Sequence, residues 1–134
     1  MPNQLQKQNI GQKILLAEDC ELNLLLLEEM LGTVDACLDA VCDGAKALEM
    51  AKATKYDIIL LDLNMPHMSG EAVAKAIKHE TINRETPIVG ITAALPNEIQ
   101  PGLQKDTFLE ILFKPLQKTS LLAVIAKYSA CVSN

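Results

Sequence analysis

From residue 13 onward, short apolar runs alternate with longer stretches of helical pattern. Residues 13–17 (KILLA), 57–63 (DIILLDL), 87–92 (PIVGIT) and 108–114 (FLEILFK) are rich in aliphatic residues and have strand length. Residues 36–41 form a weaker strand candidate. Between these runs, residues 20–31, 44–54, 69–79 and 116–129 read as helices, with Ser69 as an N-cap and Glu71 near the positive end of its helix. Residues 95–105 occupy the place of a further helix, but Pro101-Gly102 sits inside it. Proline in a helix interior costs about 3 kcal/mol, so a short or broken helix is expected there.

Five strand–helix units in succession predict an α/β fold. Strands that are apolar on both sides fit a parallel sheet covered on both faces. Right-handed crossovers then give an open, doubly wound (βα)5 architecture, flavodoxin-like, with strand order 2-1-3-4-5. In that order the ligand crevice lies at the carboxyl ends of the first and third strands. Residues 1–12 read as a polar leader or linker, 13–130 as a single domain, and 131–134 as a tail.

Composition narrows the function classes. A chain of 134 residues with 49% apolar residues can bury a core without staples, and with only 3% aromatics that core must be aliphatic. The net charge of −5 argues against nucleic-acid binding through this domain. Cys20, Cys37, Cys42 and Cys131 form no CxxC pair, and His67 and His79 are not spaced as metal partners for them. Free thiols in a reducing compartment are the simpler reading. With a polar start, and with no apolar stretch of membrane-spanning length, the chain is expected to be cytoplasmic and to make no membrane contact.

The chemistry collects at the strand ends. The first strand ends in Glu18-Asp19, the third in Asp62, the fourth in Thr92 and the fifth in Lys114-Pro115. Singly, each has an ordinary explanation: a turn or N-cap carboxylate, a β-branched strand residue, a solvated lysine. Jointly, the topology brings three carboxylates, a hydroxyl and an ammonium to one edge. Clustered carboxylates repel unless a cation joins them. Hard oxygen donors without His or Cys suit Mg²⁺, which also favours a phosphate ligand. A carboxylate beside Mg²⁺ can attack phosphorus and become an aspartyl phosphate, and Asp62, at the end of the most apolar strand, is the best nucleophile.

These residues also carry a resemblance. The pieces LLAEDCELN, DIILLDLNMPHMSG, PIVGITA and FKP, in this order, resemble a response-regulator receiver domain over about residues 13–129. Asp62 followed by Met65-Pro66 and Gly70, and Lys114 twenty-two residues after Thr92, are specific matches. The resemblance implies that Asp62 accepts a phosphoryl group from a phosphohistidine on a histidine kinase or histidine phosphotransfer protein. It implies Mg²⁺ held by Asp19, Asp62 and the backbone carbonyl of Asn64, with Glu18 acting through water. Lys114 would pair with Asp62 and then with the phosphoryl oxygens, and Thr92 would swing its hydroxyl to them as the switch. Such a domain assists its own phosphorylation and dephosphorylation without being an enzyme for an external substrate. Glu18 leading the acidic pair, and Asn23 four residues after Asp19, resemble receivers of hybrid histidine kinases. With no output region after residue 129, direct transcription control is not expected of this chain.

Three positions depart from the family pattern. Ile111 replaces the usual aromatic switch residue, Thr107 a usual glycine, and Pro101-Gly102 interrupts the fourth helix. A phosphate relay or sink would tolerate an altered readout, and dimerisation through that face is left open. The leucines of the first helix exceed one apolar stripe, which makes Leu24 and Leu27, with Asn23, candidates for an exposed partner-docking patch. Two alternatives stand beside the phosphoacceptor: a non-phosphorylated pseudo-receiver acting as an interaction module, and a phosphohydrolase of the haloacid-dehalogenase type. The latter needs a second Asp where this chain has Asn64. A flavin-binding flavodoxin is excluded, because no phosphate-cradling loop follows the first strand.

Overall fold

Along each central strand, apolar side chains alternate between two faces, as extended backbone requires. In β1 (Lys13–Ala17), Ile14 and Leu16 enter one core cluster and Leu15 and Ala17 the other. β3 (Ile58–Asp62) divides in the same way, Ile58 and Leu60 against Ile59 and Leu61. The computed structural model describes residues 12–32, 36–65, 68–95 and 107–129. β2 (Cys37–Val41), β4 (Ile88–Thr92) and β5 (Glu110–Phe113) complete one parallel sheet in the order β2-β1-β3-β4-β5. This is the order expected from the alternating pattern. β3 and β4 are buried at every position, so their carboxyl ends deliver side chains from the centre of the molecule.

Two layers of helix cover the sheet. α1 (Glu21–Leu31) and α4 (Lys118–Ser129) share a core with Ile14, Leu16, Ile58, Leu60, Val89 and Ile91. α2 (Gly44–Ala53) and α3 (Gly70–Glu80) pack through Ala47, Ala51, Val73, Ala74 and Ile77 on the opposite face. Small residues let these two helices approach closely: a Cβ on Gly44 would stand 2.6 Å from Val73 Cγ2. Local caps fix where the helices start. Asp43 Oδ1 accepts from the Lys46 amide at 2.7 Å, and Ser69 Oγ accepts from the Ala72 amide at 3.2 Å.

A buried asparagine ties the opposite edge of the sheet together. Asn83, fully buried, donates to the carbonyls of Ala51 (2.6 Å) and Thr54 (2.8 Å). Its Oδ1 accepts from the Tyr56 amide (2.8 Å) and the Thr86 hydroxyl (2.9 Å). One side chain thereby satisfies backbone groups at the end of α2 and before β3, and holds the Thr86 hydroxyl before β4.

Element boundaries lie within a residue or two of those predicted. The interrupted helix expected around Pro101-Gly102 lies outside the described residues, as do residues 1–11 and the 131–134 tail. No helix among the described residues is long and apolar enough to cross a membrane.

Candidate functional site

β1 and β3 are hydrogen-bonded neighbours, and this pairing brings Glu18 and Asp62 together. Glu18, the residue after β1, turns inward and is fully buried; Asp19 is exposed. Asp62, the last residue of β3, is only 2% exposed. One oxygen from each of these three carboxylates lies within 4.8 Å of the others. Glu18 and Asp19 do not cap α1, whose N-cap is Cys20 without a side-chain cap bond. The capping explanation for this acidic pair therefore does not hold. Instead the Cys20 amide donates back to Glu18 Oε2 at 3.3 Å, which holds that carboxylate in place.

Among the described residues, the positive side chain at these groups is that of Lys114, the residue after β5. Its Nζ lies 3.3 Å from Asp62 Oδ2 and 3.2 Å from Glu18 Oε1. The second contact is an ion pair without hydrogen-bond geometry, so Oε1 is buried with no hydrogen-bond partner. Burial raises the Glu18 carboxyl above its ordinary value, and neighbouring Asp62 raises it further, while Lys114 pulls it down. Burial works to lower the Lys114 value, but Asp62 and Glu18 together outweigh it and hold the ammonium above its ordinary range.

The loop after β3 shapes the rest. The Asn64 amide donates to Asp62 Oδ1 at 2.9 Å, so both oxygens of Asp62 are held. The Gly70 amide closes the loop on the Leu63 carbonyl at 3.1 Å. A Cβ at Gly70 would fall on the Asp62 carbonyl and 2.7 Å from Leu63 Cα, so only glycine lets α3 start this close to β3. Thr92, 1% exposed, accepts at Oγ1 from Asn64 Nδ2 (3.3 Å) and from the Ala94 amide (3.0 Å). The side-chain bond from Asn64 was not foreseen, since sequence reasoning used only its backbone. Its position two residues after Asp62 was the available signal.

The structure thus brings Glu18, Asp19, Asp62, Thr92 and Lys114 to one edge. Ile111 sits away from it in the core, 6% exposed and paired with Gly90. The expected exposure of the docking residues needs correction. Leu27 is 3% exposed and packs into the core, and Leu24 is half-buried against it. The exposed leucines of α1 are Leu22, Leu25 and Leu26. A helix with leucines on every side does not declare its buried face, and packing on β1 and β3 chose it. Asn23 and Leu27 instead line a cleft beside Lys114.

An open sheet of this order, with three carboxylates and a lysine at the carboxyl ends of β1, β3 and β5, defines a receiver-type fold. The comparisons agree. The model of the response regulator receiver domain matches residues 14–126, and the chain belongs to that family. It is 32% identical over 116 residues to the aerobic respiration control sensor protein ArcB of Escherichia coli K12, covering 86% of this chain and 15% of ArcB. It is 38% identical over 104 residues to the sensor protein EvgS of the same strain, covering 77% of this chain and 8% of EvgS. The chain therefore spans only a small part of these relatives. Among solved structures, it resembles the receiver domain of the sensor histidine kinase PA1611 of Pseudomonas aeruginosa, determined with magnesium in its active-site cleft. That match has 28% identity and a TM-score of 0.76, over 90% of this chain and 98% of that one. The chemotaxis protein CheY4 of Vibrio cholerae matches at 26% identity and TM-score 0.77, over 87% and 98%. The chain is a receiver domain of two-component signalling, homologous to the receiver regions of hybrid sensor kinases.

Proposed function

We propose that this domain accepts a phosphoryl group on Asp62 from a phosphohistidine of a histidine kinase or histidine phosphotransfer protein, with Mg²⁺. The observation that carries the reading is the state of Asp62 itself. It is buried at a strand end, with one oxygen on the Asn64 amide and the other beside Lys114, and Glu18 and Asp19 stand next to it. Three carboxylates sharing one ammonium leave an excess of negative charge, and Glu18 Oε1 lacks a hydrogen-bond partner. The donor set is all oxygen. These features fit a hard divalent cation. Asp19, Asp62 and the Asn64 carbonyl would hold Mg²⁺, with Glu18 acting through a bound water. When bound, the ion neutralises charge on the transferring phosphoryl group.

The residues of the chain do the rest. Asp62 supplies the attacking oxygen. The Asn64 amide fixes the carboxylate, and Lys114 offers its ammonium to the phosphoryl oxygens. The Thr92 hydroxyl oxygen already accepts two hydrogen bonds, so its proton is the function left to offer an anion. The domain would assist its own phosphorylation and dephosphorylation rather than turn over an external substrate. The domain would work in the cytoplasm, where Cys20, Cys37 and Cys42 persist as free thiols.

Intact mass after incubation with acetyl phosphate and Mg²⁺ tests the reading. The parent chain should gain one phosphoryl group and the Asp62→Asn chain none. No gain in the folded parent, with a phosphohistidine donor as well, would leave an interaction module without phosphorylation.

A further inference from the structure

The acceptor edge opens sideways into a cleft of about 410 Å³ between α1 and the segment after β5. Glu18 and Lys114 line it together with the apolar side chains of Leu26, Leu27, Met30 and Leu116. Leu27 is buried, and Met30 and Leu116 pack against the core behind it, so the apolar wall is anchored. The size is that of a small-molecule site, and a few polar groups in an apolar cleft suit an amphiphilic ligand. Two of its lining residues, Glu18 and Lys114, also belong to the phosphoacceptor edge: the Lys114 that contacts Asp62 is the Lys114 that lines the cleft.

We infer that this cleft seats the acyl chain of a small-molecule acyl phosphate, so that the domain takes phosphoryl groups from acyl phosphates with a preference for chains longer than acetyl. The inference rests on the proposed role of Asp62. The place of Lys114 both in the cleft and beside Asp62 selects an occupant with an anionic phosphoryl head and an aliphatic tail. In the reaction, an Asp62 carboxylate oxygen forms a bond to phosphorus. The bond from phosphorus to the acyl oxygen breaks, and its electron pair leaves on the departing carboxylate. No proton and no oxidant or reductant is required. Acetyl phosphate places one methyl group toward the cleft, whereas butyryl phosphate adds two methylenes that can lie against Leu26 and Met30.

The test compares initial rates of phosphorylation by acetyl and butyryl phosphate at equal subsaturating concentration, with Mg²⁺, read by intact mass. A fully buried methylene is worth about fourfold, so the half-open cleft predicts a rate about five to ten times higher with butyryl phosphate. Leu26 is 47% exposed, so Leu26→Asn is expected to fold, and it should bring the two donors to within about twofold. A second readout avoids the reaction. In the Asp62→Asn chain, the non-reacting analogue 2-oxopentylphosphonate should shift the methyl resonances of Leu26 and Met30 at lower concentration than 2-oxopropylphosphonate does. Equal rates for the two donors, with no difference between the analogues, would overturn the inference and assign the cleft to side chains of a protein donor. Failure of both donors and of phosphohistidine would instead sink the phosphoacceptor reading itself, so the two failures are distinguishable.

Discussion

Replacing Glu18 by Gln should make the domain more stable without Mg²⁺ and at the same time make it gain less stability from Mg²⁺. Glu18 is fully buried, and an oxygen of Asp62 lies within 4.8 Å. At an effective dielectric near 20, that proximity is a repulsion of about 3.5 kcal/mol or more, against an attraction of about 5 kcal/mol for the 3.2 Å contact with Lys114. The surplus of about 1–2 kcal/mol is smaller than the several kcal/mol that desolvating a carboxylate costs. Glutamine keeps the shape and an oxygen for the Cys20 amide, and Lys114 keeps Asp62. A net stabilisation of about 1–2 kcal/mol at neutral pH is expected without divalent cations. The pH dependence has a definite sign. Because the folded-state value of Glu18 is raised, the folded chain holds its proton after the unfolded chain has lost it. Stability of the parent therefore falls as pH rises from about the ordinary value of 4.5 through the raised value, and levels off above it. The variant lacks this term, so its advantage is full above the raised value and disappears toward pH 4.5. Mg²⁺ reverses the comparison, since a ligand at a hundred times its Kd stabilises the parent by about 2.7 kcal/mol. Urea unfolding of both chains, with and without Mg²⁺ and across this pH range, checks all three parts. A variant less stable than the parent without Mg²⁺, or equal stabilisation of both by Mg²⁺, would refute the reasoning.

Two other substitutions probe the frame around the site. Asn83→Ala orphans the buried Tyr56 amide and takes the side-chain donor from the Ala51 and Thr54 carbonyls, so a loss of about 3–5 kcal/mol is expected, seen as a lower urea midpoint. Gly70→Ala drives a Cβ into the backbone of Asp62 and Leu63, where no flexible side chain can yield. It should cost about 2 kcal/mol or more in thermal unfolding and shift the amide resonances of Asp62 and Asn64; an unchanged melting temperature would contradict the close approach.

The sequence alone carried the strands, their order and the gathering of the acidic residues and Lys114 at one edge. Runs such as IILLD, apolar on both sides, have few solutions other than a covered parallel strand, and βαβ handedness then sends every strand's carboxyl end to the same edge. Once Glu18, Asp19, Asp62, Thr92 and Lys114 follow strands, their meeting follows from topology. Side-chain orientation at that edge was a tertiary decision. Glu18 and Asp19 are chemically alike and adjacent, yet one is buried against Lys114 and the other is exposed, because successive side chains leave the chain on opposite sides and only packing decides which side is interior. The face of α1 was likewise hidden, since ELNLLLLEEML places leucines all round the helix. The sheet buried Leu27 and Leu31 and left Leu22, Leu25 and Leu26 outside. Long-range polar bonds, from Asn64 to Thr92 and from Asn83 to the end of α2 and to Tyr56, also have no local signature. Periodicity reports how a segment meets its average surroundings, whereas these bonds depend on which particular groups the fold places about 3 Å apart.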